Sequence, residues 1–499
     1  MSDYFTLGAD GRLADRESKT LEFKRDLSSP DGLLRTLVAF ANSAGGRLVI
    51  GVADDGTVVG VDDPLAEEER IASLIDDRIS PQLVPAIDLV TLRDKTVLIV
   101  DVPLSTRRPH YITRLGPEAG VYVRLGSTTR QADSALVAEL ERNAHGIAFE
   151  DLPEPRATFE DLDLEVLSKL RGHSTSVVAD LLALGLAVKQ GDQIVPTNAG
   201  ILAACPDPTR FHPSAWVQCG RLRGPYGTDI FDQAEIHGPM PLAVDRAVEF
   251  LLKHAYKTAV FGQVRRRDIY SIPIEPIREV IVNALVHASY AERGTPIRVG
   301  FYDDRIQVDS PGLLLPGMTI DTMRRVSRLR NPALARIFRE AGIMEQWGTG
   351  VQRVFEQVAE AGLPEPIIEE IQDRVRVTIY VPNHDPQQVT ARGAREPEGR
   401  EQKSEEHTHP EHTYTHSNNG RYDVVMMRAA AHGPVHRNTL LEAAGLKPLS
   451  QNYTRHVVPL LNRGLLAMTV PDKPRSKAQR YILTDEGRAY LRHLTEGSE

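Results

Sequence analysis

Between residues 384 and 420 the chain abandons every hydrophobic rhythm: Glu, Gln, Arg, Thr, His and Asn crowd together and aliphatic side chains almost vanish. Such a stretch buries too little apolar surface to offset the entropy of ordering it, so it is expected to be a disordered linker. It leaves residues 421–499 to build a core of their own. The 383 residues before it exceed the ~250–300 at which single cores stop growing, so they too must be modular. We expect units at 1–145, 146–238 and 239–383 ahead of the linker, and a further one at 421–499. Hydrophobic residues at 41% and charged residues at 25% supply ordinary globular cores. No apolar run approaches the roughly 18 uncharged residues of a membrane span. The start, MSDYFTLGADGRLADRESKT, lacks the basic flank and apolar stretch of a signal peptide, so a cytoplasmic location is expected. A net charge of -9 excludes a chain coated in basic surface, but one basic face can hide within that sum. Cys205 and Cys219 are too few for a disulfide framework or a metal cluster and read as buried or incidental thiols.

The periodicity gives an α/β (α+β) multidomain chain. From 15 to 140, a strand-like LEFKRD precedes the amphipathic LLRTLVAFANSA, a turn at Gly45-Gly46 and the buried-strand run RLVIGVA. Asp54-Asp55-Gly56 then supplies a hairpin turn, and strands follow at TVLIVDVP and GVYVRLG. Residues 155–225 alternate helix and short strand, a connector of winged-helix-like pattern. A second α/β unit spans 240–383. Three short helices followed by a strand, a basic turn and a returning strand give residues 421–499 a winged-helix pattern.

The strongest chemical constellation is Glu279, Asn283 and His287, spaced by four and so sharing one face of an otherwise apolar helix. Two turn segments follow: Asp309-Ser-Pro-Gly312 at a strand end and Gly348-Thr349-Gly350 at a helix start. A glycine-lined helix N-terminus offers unpaired N–H groups to phosphate oxygens, and a carboxylate at a strand end accepts from an exocyclic amine. Residues 240–383 resemble the GHKL nucleotide-binding superfamily, most closely its RecG-like, Schlafen-associated branch, through EVIVNALVHASY, SPG, RNP and GTG. The resemblance implies an α/β sandwich that binds ATP and Mg²⁺. It implies that Asn283 holds Mg²⁺, Glu279 positions or deprotonates water and Asp309 meets adenine. Gly312, Gly348, Thr349 and Gly350 would bracket the nucleotide, with Arg330 and Asn331 in the loop closing over it. The second box reads Asp-Ser-Pro-Gly where the superfamily typically has Asp-x-Gly. No Gly-x-x-x-x-Gly-Lys-[Ser/Thr] loop is present, which argues against a P-loop helicase.

Glu17-Ser-Lys-Thr-Leu-Glu22-Phe-Lys24, AFANSAGGRLVIGVADDG and VRLGSTTRQAD resemble the AlbA-like domain of the Schlafen family. That implies nucleic-acid contact through Lys24, Arg25, Arg107, Arg108, Arg124 and Arg130, neutralising phosphates without reading sequence. Some Schlafen proteins are metal-dependent RNases using two glutamates and an aspartate, and Glu17, Glu22 and Asp54 match those positions. Glu22 as a strand-edge charge and Asp54 as a turn residue are the competing readings. In the C-terminal unit Gln451, Asn452, Tyr453 and Arg455 start the third helix and Lys477 lies in the basic turn, residue types that bond base edges and phosphates. His407, His409, His412 and His416 fall in the linker and read as solvated rather than metal-binding. The expected function is a nucleotide-responsive, DNA-binding transcriptional regulator, with RNA as the alternative nucleic acid, homodimeric by resemblance; the rival is an ATP-gated nuclease using the N-terminal carboxylates.

Overall fold

The computed structural model describes residues 5, 7–8, 11–172, 178–224, 227–261, 266–345 and 350–382. Nearer the C-terminus it describes 425–431, 433–444, 456–457, 460–461, 465–469, 479–485, 487–488 and 491. Of 257–261 and 266–269 it describes the backbone alone. The chain forms two compact units, Met1–Glu396 and Pro397–Glu499.

The first unit begins with β1 (Leu21–Lys24), α1 (Pro30–Asn42) and β2 (Gly46–Ile50), in which α1 crosses over between two parallel strands. Pro30 sets the first helical turn, where its missing N–H costs nothing. Gly46 is required by packing: a Cβ there would stand 2.5 Å from the Phe40 ring. Then come α2 (Pro64–Arg78), β3 (Ala86–Leu92) and β4 (Lys95–Val102), giving a sheet of order β1-β2-β4-β3. Leu48, Ile50, Leu98 and Val100 face α1 on one side, while Val49, Val97 and Ile99 pack with Phe23 and Val52 on the other. Burial on both faces explains why these strands read as continuous apolar runs. Each fully buried Leu or Phe here contributes about 1.5–3 kcal/mol relative to exposure. Helix α3 (Ser134–Ala144) closes the N-terminal part, capped by the Asp133 side chain.

A second core runs from Ala157 to Val381 without a break. It is built on α4 (Asn198–Ala204), β5 (Val217–Arg223), β6 (Asp229–Ile236), α5 (Met240–His254), α6 (Ile274–His287), β7 (Ile297–Phe301) and β8 (Arg305–Pro311). It is completed by α7 (Pro332–Glu340), α8 (Gly350–Glu360), β9 (Ile367–Ile371) and β10 (Arg374–Tyr380). The six-stranded sheet has the order β6-β5-β7-β8-β10-β9, with α6 packed against β8, α5 and α8. The boundary expected at 238 therefore needs correction. β5 and β6 form a hairpin that reads locally as part of the connector, yet β5 pairs in parallel with β7, some way along the chain. Local periodicity carries no information about that pairing.

The N-terminal part docks onto β9 and onto the segment Gly312–Asn331, which joins β8 to α7 and is called the lid below. Lys19 is ion-paired with Glu370 at 2.7 Å, and the Gly317 N–H donates to the Ser43 carbonyl at 2.7 Å.

In the second unit, α9 (Arg437–Ala443) and the antiparallel pair β11 (Leu466–Met468) and β12 (Tyr481–Leu483) enclose a core that includes Met426, Leu440, Leu441, Leu460 and Tyr481. Gln451, Asn452, Tyr453, Arg455, Lys477 and the linker histidines lie outside the described residues.

Candidate nucleotide-binding site

Helix α6 buries Ile277, Ile281 and Leu285 in the core and turns Glu279, Asn283 and His287 into a cleft. The cleft has an empty volume of about 1190 Å³, including its solvent-open part, and is closed by α8, the lid and the faces of β8, β9 and β10. The stripe seen in the sequence is thus the polar floor of a largely apolar cavity, whose walls include Val308, Met318, Phe355 and Val377.

One end of the cavity is ionic. Asn283 Nδ2 donates to Glu279 Oε1 at 3.2 Å, and Arg353 Nη2 donates to Glu279 Oε2 at 3.2 Å. Arg353 also pairs with Glu345. Glu279 lies against the first residue of α8: a Cβ on Gly350 would stand 1.9 Å from Glu279 Oε1, so only glycine admits the carboxylate there. An anion at that helix start is favoured by the unpaired N–H groups and the dipole. Asn283 Oδ1 has no partner among the described residues, which suits a cation ligand. Mg²⁺ typically takes one or two protein groups together with phosphates and water, so this donor set fits a metal that arrives with nucleotide. The other end of the stripe is neutral. Burial pushes the His287 imidazole down to about 4, and its ring has no hydrogen-bond partner among the described residues.

Several expected ligands have other partners. Asp309 lies between Val308 and Ser310 on β8, and strand alternation turns it to the opposite face from the cavity. There it makes a bidentate pair with Arg376 at 2.6 and 2.7 Å, so the adenine contact assigned to it is corrected. Asn331 does not line the cavity either: its Nδ2 donates to the Val286 and Ala288 carbonyls at 2.8 and 2.9 Å, capping the end of α6. Arg330 does line it, but as a strut. Its Nε donates to the His287 carbonyl at 2.9 Å, and its terminal nitrogens bind the Leu313 carbonyl and Glu139 of α3. Burial lowers its guanidinium to about 10, still charged at neutral pH. Gly312 has φ +96°, and a Cβ there would stand 2.8 Å from Ser289 Cβ. Gly348 and Thr349 lie outside the described residues.

In the N-terminal part, Arg124 is a core residue rather than a surface cation. It pairs with Glu22 at 2.9 Å, donates to the Ser18 carbonyl at 2.7 Å and lies over the Phe40 ring. Lys24 binds the other Glu22 oxygen, Glu17 accepts from the Phe23 N–H at 3.0 Å, and Asp54 is exposed in its turn. Among the described residues no three His, Cys, Asp or Glu side chains are grouped to hold a metal ion, so Glu17, Glu22 and Asp54 do not form the expected ligand set. Glu22 is held instead by Arg124 and Lys24. Arg25, Arg107 and Arg130 are exposed and Arg108 is half-buried. Sequence reasoning missed Arg353, although it stands one turn beyond Gly350 on the same face, and missed Glu139, Lys19 and Glu370, which only tertiary contact reveals.

Residues 17–133 match the family model described as "Schlafen, AlbA_2". Residues 294–379, which hold the lid, α8 and the strands around them, match "Putative ATP-dependent DNA helicase recG C-terminal". Residues 424–484 match "Filamentation induced by cAMP protein Fic-like, C-terminal domain". Among solved structures, the DIP2311 protein from Corynebacterium diphtheriae is 20% identical, covering 75% of this chain and 78% of its own, with a TM-score of 0.38. The N-terminal domain of a RecG-related protein from Nitrosomonas europaea is 31% identical, covering 24% of this chain and 86% of its own, with a TM-score of 0.20. No curated protein matches the chain. The chain thus joins a segment of the Schlafen AlbA_2 type to a segment of the RecG C-terminal type.

Proposed function

We propose that this protein is an ATP-binding, DNA-binding regulator of transcription, acting as a homodimer, in which nucleotide in the α6–α8 cavity resets the N-terminal domain docked on the lid. The observation that carries the reading is the Arg330 strut. One guanidinium links the end of α6, the first turn of the lid and Glu139 of the N-terminal part. A ligand that shifts the lid must therefore also change the environment of Glu139. For this to act as a switch, nucleotide has to bind one lid arrangement better than the other.

Mg²⁺, when bound with ATP, neutralises phosphate charge at the ionic end. Asn283 Oδ1 is the group to hold it. The start of α8 receives phosphate oxygens, and Arg353 adds a cation one turn further on. Glu279, which Asn283 and Arg353 hold at that end, would take the proton of a water as its oxygen attacks the terminal phosphate, with the bond to the ADP oxygen breaking and ADP leaving. The apolar walls exclude solvent from the base.

Isothermal titration of Mg-ATP into the wild type and into Asn283→Ala tests the site. Micromolar binding that disappears in the variant is expected; absence of binding in the wild type overturns the reading. DNA affinity measured with and without nucleotide then tests the switch.

A further inference from the structure

The lid is rich in arginine. Between Thr319 and Arg330 it carries Arg324, Arg325, Arg328 and Arg330 against a single acid, Asp321. Two of these have internal duties: Arg330 is the strut, and Arg324 pairs with Glu365 at 2.8 Å. Arg325 and Arg328 are exposed and meet no carboxylate among the described residues. Arg328 is held in place, since its Nη1 donates to the Pro316 carbonyl at 2.9 Å.

That position abuts the N-terminal part. A Cβ on Gly317 would stand 3.1 Å from Arg328 Nη1 and 2.9 Å from Leu104 Cδ2, so Arg328 and the start of the 103–110 loop flank the same glycine. The loop is rigid at its root. The Ser105 N–H donates to the Ala41 carbonyl, and its hydroxyl meets His110 Nε2 at 2.6 Å. It presents Arg107 and Arg108, which likewise meet no carboxylate among the described residues. Burial, together with the charge of Arg328, lowers the Arg108 guanidinium, which marks the two as electrostatic neighbours. Like charges gathered without acids repel one another, and the arrangement becomes favourable when a partner brings negative charge.

We propose that the 103–110 loop and the lid form one strip, Arg107, Arg108, Arg325 and Arg328, that binds the phosphate backbone of a nucleic-acid strand. Half of the strip rides on the lid of the cavity. Nucleic acid and nucleotide are therefore linked, and each changes the affinity of the other by the same factor. This linkage rests on the reading of the cavity as a nucleotide site; the strip itself does not.

The test uses the full chain and fluorescence anisotropy with labelled single-stranded DNA and RNA oligonucleotides over a series of salt concentrations, first without nucleotide. Each lost phosphate contact lowers the log–log salt slope by about 0.7 for a single strand. Arg325→Gln/Arg328→Gln and Arg107→Gln/Arg108→Gln should each lower it by about 1.4, and weaken DNA and RNA alike. Lys169→Gln/Lys189→Gln removes the same charge from exposed connector positions and should leave the slope unchanged. A lid variant that behaves like this control overturns the strip whether or not the cavity binds ATP. In a second arm, saturating Mg-ATP should shift oligonucleotide affinity in the wild type and not in the lid variant. Oligonucleotide binding through the strip with no such shift overturns the linkage alone.

Discussion

Lys19→Met is the sharpest probe of how the N-terminal part holds the lid. Lys19 and Glu370 lie 2.7 Å apart with side chains 10% and 2% exposed, and Glu370 Oε1 also accepts the Leu314 N–H at 2.9 Å. Burial lowers the Lys19 ammonium while the carboxylate opposes that shift, so the pair is held together against desolvation. Removing one partner of a buried pair costs about 3–5 kcal/mol, because the remaining charge is left uncompensated. Arg330 is close enough to sense the charge of Glu370 and softens the loss, which puts the cost near the lower end of that range. At about 1.4 kcal/mol per tenfold, separation of the lid from the N-terminal part should become roughly 100-fold easier. Hydrogen exchange reads this directly. The Gly317 amide, bonded to the Ser43 carbonyl across the contact, should exchange about 100-fold faster, while Val308 and Val377 in the β8–β10 ladder keep their protection. Lys19→Met/Glu370→Gln should restore much of the protection. Unchanged exchange at Gly317, or an equal rise throughout the sheet, would refute the reasoning.

Two further outcomes follow from the cavity and its supports. Arg353→Gln should weaken ATP by about 10- to 100-fold, the range of a charge-assisted hydrogen bond. Glu345→Gln, which frees Arg353 from an exposed competitor, should tighten ATP by up to about 5-fold; titration calorimetry measures both, and changes of the same sign would count against a phosphate role. Burial pushes the Glu150 carboxyl up to about 7, against the Ala333 and Leu334 N–H groups that favour its charge. The folded pKa lies above the ordinary 4.5, so the folded state holds this proton more tightly. Its contribution to stability is full below the ordinary value and is lost as pH rises through about 7. Glu150→Gln should flatten this dependence in urea unfolding between about pH 5 and about pH 8; an unaltered slope would contradict it.

The α6 stripe was legible because residues four apart share a face whatever the rest of the chain does. The two-sided strands of the N-terminal sheet were legible for a similar reason, carrying unbroken apolar runs at Leu48–Ile50 and Val97–Val100. The face of Asp309 was within reach of the same reasoning. If Ser310 and Val308 face the cavity, alternation sends Asp309 away, and Arg376 on the paired strand β10 is there to receive it. Arg124 was not legible: its partner Glu22 is 102 residues distant, and nothing local separates a buried arginine from a surface one. The same holds for Glu139 with Arg330. Sequence spacing reports which side of an element a residue occupies but is silent about what the fold brings to that side.

The parallel pairing of β5 with β7 bears on how the protein can be taken apart. A fragment starting at residue 239 would contain α6, β7, β8 and the whole cavity, and would look complete as a gene segment. It would nevertheless strip β7 of the partner it pairs with from Val217 to Arg221, laying bare a row of N–H and C=O groups along Ile297–Phe301. Such an open edge templates association with any strand that meets it. Preparations trimmed at that point should clump or exchange strands between copies, and a soluble nucleotide-domain fragment will have to begin upstream of β5.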